Sequence, residues 1–384
     1  MMIDSAFFDS LNPAQHRKCY NFIRSRASAN DAILTSGDER LKALPHHQRI
    51  ALHDMLKHEA AFLEEFAPTV VDLVKTPGST RHEIATTLQT HYPLLSKSFY
   101  LDRADVLWDL ALRLMVHYGR IRTFQTTDAL EQMLMETDFG GDVPAAWFRL
   151  PFEEIFIEFG EHRGFPITIN DSESGEHIIE GAYVMSGLSL GKPGKPLVRG
   201  FDLIIFGSPV GKRTALDDCF IHMGLPINDE EKPISDVVQD VVDFYASQGD
   251  FPNKHAFRPV VEHVAKVLVY LGTKDARQHQ VAEGSEARRR INALKSPAKR
   301  EKAQRQAARL YDRIVVGPAE LPEDLAGGDG CGSGGVRPHV RRGHFRAQAY
   351  GPQHSLRRPV WIQPTLVGKD RISGEVAHPA YVIQ

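Results

Sequence analysis

The sequence predicts an α+β fold: an N-terminal helical region, a central antiparallel β-meander with packed helices, and a C-terminal β-hairpin. Three observations carry that prediction. Apolar residues recur at helical spacing through the N-terminal third. Two-residue alternation begins after Trp147. Two extended runs flank a Gly-Pro turn near the C-terminus. The same readings divide the 384 residues into four parts: a helical region (1–140), an α+β core domain (141–275), a basic helix or linker (276–313), and a final part (314–384). The final part holds a short strand, a glycine-rich loop and a basic hairpin that joins the core.

In the helical region Leu52, Met55, Leu56, Leu63 and Phe66 fall on one face, and Pro68 marks that helix's end. A second helix is expected over 80–90. A third, over 103–124, carries Val106, Leu110, Leu114 and Val116. The stretch 80–118 is not a DNA-binding helix-turn-helix. Its loop, with Pro93, is longer than the usual turn, and no basic cluster opens its second helix. In Glu-Glu-Ile-Phe-Ile-Glu-Phe (153–159), Ile155, Ile157 and Phe159 alternate as in a half-buried strand. Turn chemistry at Asn170-Asp171-Ser172, then strand-like runs at 177–190 and 197–206 around Gly191-Lys192-Pro193-Gly194, indicate antiparallel pairing without a crossover helix. Helices return with Ser235 as N-cap and a stripe of Val238, Val241, Val242 and Tyr245. Pro259 suits a first helical position and Gly272 a C-terminal cap, around Val260, Val264, Val267, Leu268 and Leu271. Segment 286–313, with ten Lys and Arg against three acids, reads as a solvated helix or arm. Ile314–Val316 suits a short strand, and 317–335, with seven glycines, a loop.

The overall charge of −3 conceals a division. Residues 286–384 hold 18 Lys and Arg against 9 Asp and Glu, whereas the rest holds 28 against 40. Basic tails either meet phosphate backbones or neutralise an acidic body. No stretch reaches the ~18 apolar residues of a membrane span. The start lacks the basic and apolar regions of a signal peptide. Cys19, Cys219 and Cys331 form no CxxC pair. The expectation is a cytoplasmic protein with no membrane partner.

Familiar catalytic motifs are absent. Gly207-Ser208-Pro209-Val210-Gly211-Lys212-Arg213-Thr214 has its glycines one residue too close, and Arg213 stands where a magnesium-binding hydroxyl belongs, so no nucleotide cofactor is expected. After His58-Glu59, Phe62 occupies the second histidine position of a zinc-protease helix. Asp202, Glu230 and Lys232 have nuclease-like identities, but the last two lie in a polar loop. No metal site and no cofactor are expected.

The densest polar chemistry is C-terminal. Residues 336–358 contain six arginines and no acid. Arg337, Arg341, Arg342, Arg346, Arg357 and Arg358, with His339, His344 and Trp361, are candidates to bind RNA or a partner. Phe345, Tyr350 and Trp361 are possible base-stacking groups. The same residues permit a metal-independent ribonuclease, with His339 and His344 as base and acid and Arg342 stabilising the phosphate. Positions 339 and 344 face opposite sides of a regular strand, so convergence needs a bulge at Gly343. A structural polar hairpin is the third reading.

Arg337-Pro338-His339-Val340-Arg341-Arg342-Gly343-His344-Phe345, followed by Arg358-Pro359-Val360-Trp361-Ile362-Gln363-Pro364, resembles the C-terminal signature of a type V-A anti-CRISPR family. The family pattern has Trp-Gln-Pro, and here Ile362 intervenes. Looser similarity covers 100–272, through Ala104–Ile121, Trp147–Phe159 with its Leu150-Pro151, and Val260–Gly272. The family's founder lowers the messenger of the type V-A CRISPR nuclease by recognising that nuclease's N-terminal peptide during translation. The resemblance therefore implies a protein of a mobile element that binds a nascent target peptide and downregulates its mRNA, with the basic C-terminal region contacting RNA or the ribosome. A ribonuclease, or a nucleic-acid-binding structural protein of a phage or plasmid, are the alternatives.

Overall fold

The computed structural model describes residues 5–36, 44–52, 54–98, 104–159, 168–171, 175–189, 198–210, 219–247, 254–307, 309–322, 325 and 339–367. Among the described residues the helices that come first are α1 (Ser5–Asp9), α2 (Pro13–Ser36), α3 (His46–Leu52), α4 (Asp54–Phe66), α5 (Pro68–Lys75), α6 (Arg81–His91), α7 (Pro93–Ser98) and α8 (Ala104–His117). Then follow β1 (Arg122–Thr126), α9 (Asp128–Met135), β2 (Thr137–Phe139), β3 (Glu154–Glu158), β4 (Thr168–Asp171), β5 (Gly175–Ser189), β6 (Val198–Pro209) and β7 (Cys219–Pro226). Next come α10 (Ile234–Ser247), α11 (Lys254–Leu271), β8 (Gln278–Ala282), α12 (Glu283–Ala293), α13 (Pro297–Ala307) and β9 (Asp312–Val316). The chain closes with β10 (His339–Arg341), β11 (Gly343–Tyr350), β12 (Leu356–Ile362) and β13 (Thr365–Val367).

The predicted α+β class is the observed one. β5, β6 and β7 form the antiparallel meander, within an eight-stranded sheet of order β7-β6-β5-β3-β1-β9-β8, with β4 beside β5. The sheet is mixed, because β1 runs parallel to both β3 and β9. β1 lies within the stretch read as helical, so the third helix ends at His117 and Phe124 becomes a fully buried strand residue.

Helices cover both faces of the sheet. Ile155, Ile157, Ala182, Val184, Leu203 and Ile205 face α10 and α11, whose Val238, Val241, Val260, Val264 and Leu268 form the expected stripes. Phe156, Tyr183, Met185, Ile204 and Phe206 face the N-terminal helices through residues such as Leu63, Val70, Leu88 and Leu110. β3 is thus buried on both sides, not half-buried as its alternation suggests. Its two glutamates are accommodated by partners. Glu154 pairs with Arg120, and Glu158 accepts from Tyr311 at 2.7 Å and Gln125 at 3.0 Å. A buried charge needs such compensation.

Several helix ends differ from expectation for local reasons. α6 starts where predicted because Thr80 and Glu83 form a capping box, each accepting the other's backbone N–H. The stripe read across Leu52–Phe66 is helical on both sides of residue 53, in α3 and α4, and Pro68 opens the next helix instead of only ending the last. Ser235 lies inside α10, which begins at Ile234, and its hydroxyl meets Asp236 instead of capping. Pro259 is internal to α11. Gly272 does end that helix, its N–H reaching Leu268 and Val269 carbonyls. The basic segment is helical in two pieces, α12 and α13. Most of the glycine-rich stretch, the 191–194 turn and the 211–214 end of the phosphate-loop-like run lie outside the described residues. No helix among the described residues is long and apolar enough to cross a membrane.

Candidate functional site

The predicted C-terminal hairpin forms: β11 and β12 pair antiparallel from His344↔Ile362 to Tyr350↔Leu356. Its position is set by an unexpected neighbour. β11 also pairs, in parallel, with β2 through Gly343↔Thr137 and Phe345↔Phe139. The Gly343 and Gly140 N–H groups donate to Glu136 and Phe345 carbonyls at 2.7 and 2.9 Å, and Asp142 accepts from the Ala347 N–H at 2.9 Å. Gly343 is needed for close approach, since a Cβ there would lie 2.7 Å from the Ile362 carbonyl and 2.8 Å from the Pro364 ring. It hosts no bulge; the hairpin register is continuous.

Strand alternation gives the hairpin two unlike faces. The inner face carries Phe345, fully buried in the main core, opposite Trp361. Trp361 packs edge-on to Tyr270 at 5.2 Å and donates its indole N–H to Thr137 Oγ1 at 3.1 Å. Phe345 is therefore excluded from base stacking, and Trp361 is a partly buried anchor. The outer face carries His344, Arg346, Gln348 and Tyr350 opposite Ile362, Val360, Arg358 and Leu356. Here Arg358 lies over the Tyr350 ring at 5.2 Å, and Tyr350 and Leu356 are exposed.

The predicted cations have different fates. Arg342 pairs with Asp138 at 2.9 Å and lies 4.0 Å from Glu136. Close by, burial pushes the Lys266 ammonium below its usual range, against the pull of Glu262, Asp138 and Glu136. Arg342 thus belongs to a compensated charge cluster that ties β2 to β11. Arg357 donates to the His354 carbonyl at 2.7 Å. Arg341 and Arg346 are exposed and pair with no described residue. Arg337 and the side chain of His339 lie outside the described residues. The backbone of His339 belongs to β10, paired with β13 at Val367, whereas His344 belongs to β11. The chain changes partner strands at Arg342, between the two histidines.

Asp202, Glu230 and Lys232 do not converge. They pair separately with Arg81 at 3.3 Å, Arg199 at 2.7 Å, and Asp240. Among the described residues no group of three metal-ligating side chains gathers.

One polar cluster escaped sequence reasoning. α3 places His46, His47 and Arg49 against the second sheet face, all buried. The Tyr183 hydroxyl sits 3.3 and 3.2 Å from the Nδ1 atoms of His46 and His47. Arg49 donates to Glu180 at 3.0 Å, Ser208 at 2.7 Å and the Leu44 carbonyl at 2.7 Å. Burial pushes the His47 imidazole down to about 4, and His46 well below its usual range. Both are neutral at pH 7. The visible signal was the run Pro45-His46-His47-Gln48-Arg49, but nothing local says that it will be covered. The cluster locks α3 to the sheet.

The fold and hairpin define an α+β protein whose basic C-terminal strands are an integral wall of the core, with Arg346, Tyr350, Leu356 and Arg358 of the outer face exposed. A family model described as AcrVA2-like, anti-CRISPR type V subtype A2 family, matches residues 124–369, well over half of the chain. The protein belongs to this anti-CRISPR family. The match starts in β1 and ends beyond β13, so α1–α8 lie outside it. Among solved structures, the crystal structure of AcrVA2 is similar at TM-score 0.46 and 12% identity, over 80% of this chain and 96% of that one. No curated protein matches.

Proposed function

We propose that this anti-CRISPR family member acts in the cytoplasm during translation. It recognises the N-terminal peptide of a nascent target and lowers the encoding messenger, while its basic C-terminal region contacts RNA or the ribosome. The observation that carries this reading is the family match over 124–369, which spans the sheet, its α10–α11 cover and the whole hairpin. The hairpin's outer face adds chemical support. His344, Arg346 and Arg358 lie on one surface beside exposed Tyr350, a combination suited to phosphate and base contacts.

The test is a reporter whose first codons specify the N-terminal peptide of a type V-A nuclease, co-expressed with this protein. Reporter mRNA should fall several-fold. Synonymous recoding of the peptide should preserve the fall, and a compensated frameshift through it should abolish the fall. Unchanged mRNA across a panel of such peptides would sink the proposal. A companion incubation of purified protein with single-stranded RNA in EDTA should leave the RNA intact. Cleavage that disappears in the His339→Ala/His344→Ala double variant would replace this reading with the ribonuclease.

A further inference from the structure

We propose that α12–α13 is a docking arm for the phosphate backbone of double-stranded RNA. This deepens the RNA contact proposed above and rests on it. α12 is the fixed half. Its Gly284, Ala287 and Ile291 are buried, and Asp312 of β9 accepts from the Ser285 N–H at 2.8 Å. α13 is different: none of its residues is buried.

A helix that is polar all round has no tertiary burial to hold it. α13 forms on local terms. Ser296 caps it through the Lys299 N–H at 3.5 Å, Pro297 opens it, and Glu301 pairs with Arg305 one turn on. Its 11 residues are short for an isolated helix in water, where about 12–15 are marginal. Such a helix gains stability from whatever its side chains grip.

Those side chains are cationic. Residues 283–309 hold nine Lys and Arg against three Glu, a net of +6 in a chain of −3, which leaves −9 elsewhere. Arg288, Arg290 and Arg305 are paired with Asp312, Glu286 and Glu301. Arg289, Lys295, Lys299, Lys302 and Arg309 are exposed and pair with no described residue. The hairpin contrasts with this in part: Arg342 is neutralised by carboxylates and Arg358 covers a ring, which leaves Arg341 and Arg346 as its exposed arginines without a partner among the described residues.

The composition selects the partner. Residues 283–307 contain no aromatic side chain, so the arm has no platform for unpaired bases. α13 has no apolar face, which a membrane-surface helix needs. Phosphate contacts remain, and these are how duplex RNA is held largely by shape. The acidic remainder keeps the polyanion on the arm.

The experiment titrates full-length protein with a fluorescent 20-base-pair RNA duplex across a salt series. It compares wild type, K295E/K299E/K302E and R346E/R358E, with the matching DNA duplex in parallel. Circular dichroism confirms that both variants fold, as expected for exposed positions. The arm variant should bind at least ~10-fold more weakly and flatten the salt dependence by about 2–3 in log–log slope. The hairpin variant should weaken binding by a smaller factor than the arm variant, and duplex RNA should raise the helicity of wild type and the hairpin variant but not of the arm variant. An unaffected arm variant with a crippled hairpin variant overturns this inference and leaves the RNA-contact reading standing. Wild type that binds no RNA duplex overturns this inference, while the reporter assay above decides separately the reading it rests on, and tighter binding to DNA than to RNA overturns the assignment to RNA.

Discussion

The hairpin and the helical arm are both basic, yet the fold treats them in opposite ways. Hairpin side chains are tied inward: Phe345 is fully buried, Trp361 is hydrogen-bonded to Thr137, and Arg342 is paired with Asp138. α13 buries nothing. Counting cations makes the two segments look alike. Their partners separate a wall of the core, with one usable face, from a surface that the fold does not consume.

If this contrast is right, perturbing the two regions should have very unequal effects. Phe345→Ala should be the most damaging, costing about 3–5 kcal/mol in urea-unfolding free energy, as for a fully buried aromatic. A cost below about 1 kcal/mol would mean that the hairpin is not part of the core. Acid sharpens the contrast from another buried site. His47 titrates near 4 when folded against 6.5 when exposed. Only the unfolded chain takes up that proton between these values. Stability is therefore full above pH 6.5 and declines as pH falls toward 4, by up to about 3 kcal/mol from this group. His46 acts in the same direction. Unfolding free energies at pH 7 and pH 4.5 check it, and replacing both histidines by Gln should flatten the profile.

Gly343→Ala should cost about 1–3 kcal/mol, because a Cβ meets backbone and a proline ring with no room to move. Tolerance of alanine would show that the hairpin shifts easily against β2. At the small end, Lys299→Ala in α13 should leave the melting free energy within about 0.5 kcal/mol of wild type. A larger loss would mean that the arm packs on something and would break the comparison.

Legibility in the sequence followed the range of the forces involved. The start of α6, the hairpin turn and the apolar stripes of α10 and α11 arise from neighbours within a few residues, and they were readable. The cover over the second sheet face was not. Phe156, Tyr183, Ile204 and Phe206 interrupt no pattern when read alone, and their burial depends on N-terminal helices far upstream in the chain. Likewise, Arg342 looks like a free phosphate ligand until β2 brings Asp138 alongside. The site residues were found as a cluster. Which of them face outward was decided by the Phe345–Trp361 anchor, a long-range choice.

The strand order also sets a timetable for the ribosome that makes this protein. Phe124 pairs with Ile157 on one side and Ile314 on the other, and Thr137 pairs with Gly343. At about 5–20 residues per second, Thr137 waits roughly 10–40 s for its partner to be synthesised. Until β9 is made β1 is an open sheet edge, and until β11 follows the main core lacks Phe345. A protein proposed to read other chains as they emerge is itself, for most of its own synthesis, an open-edged nascent chain.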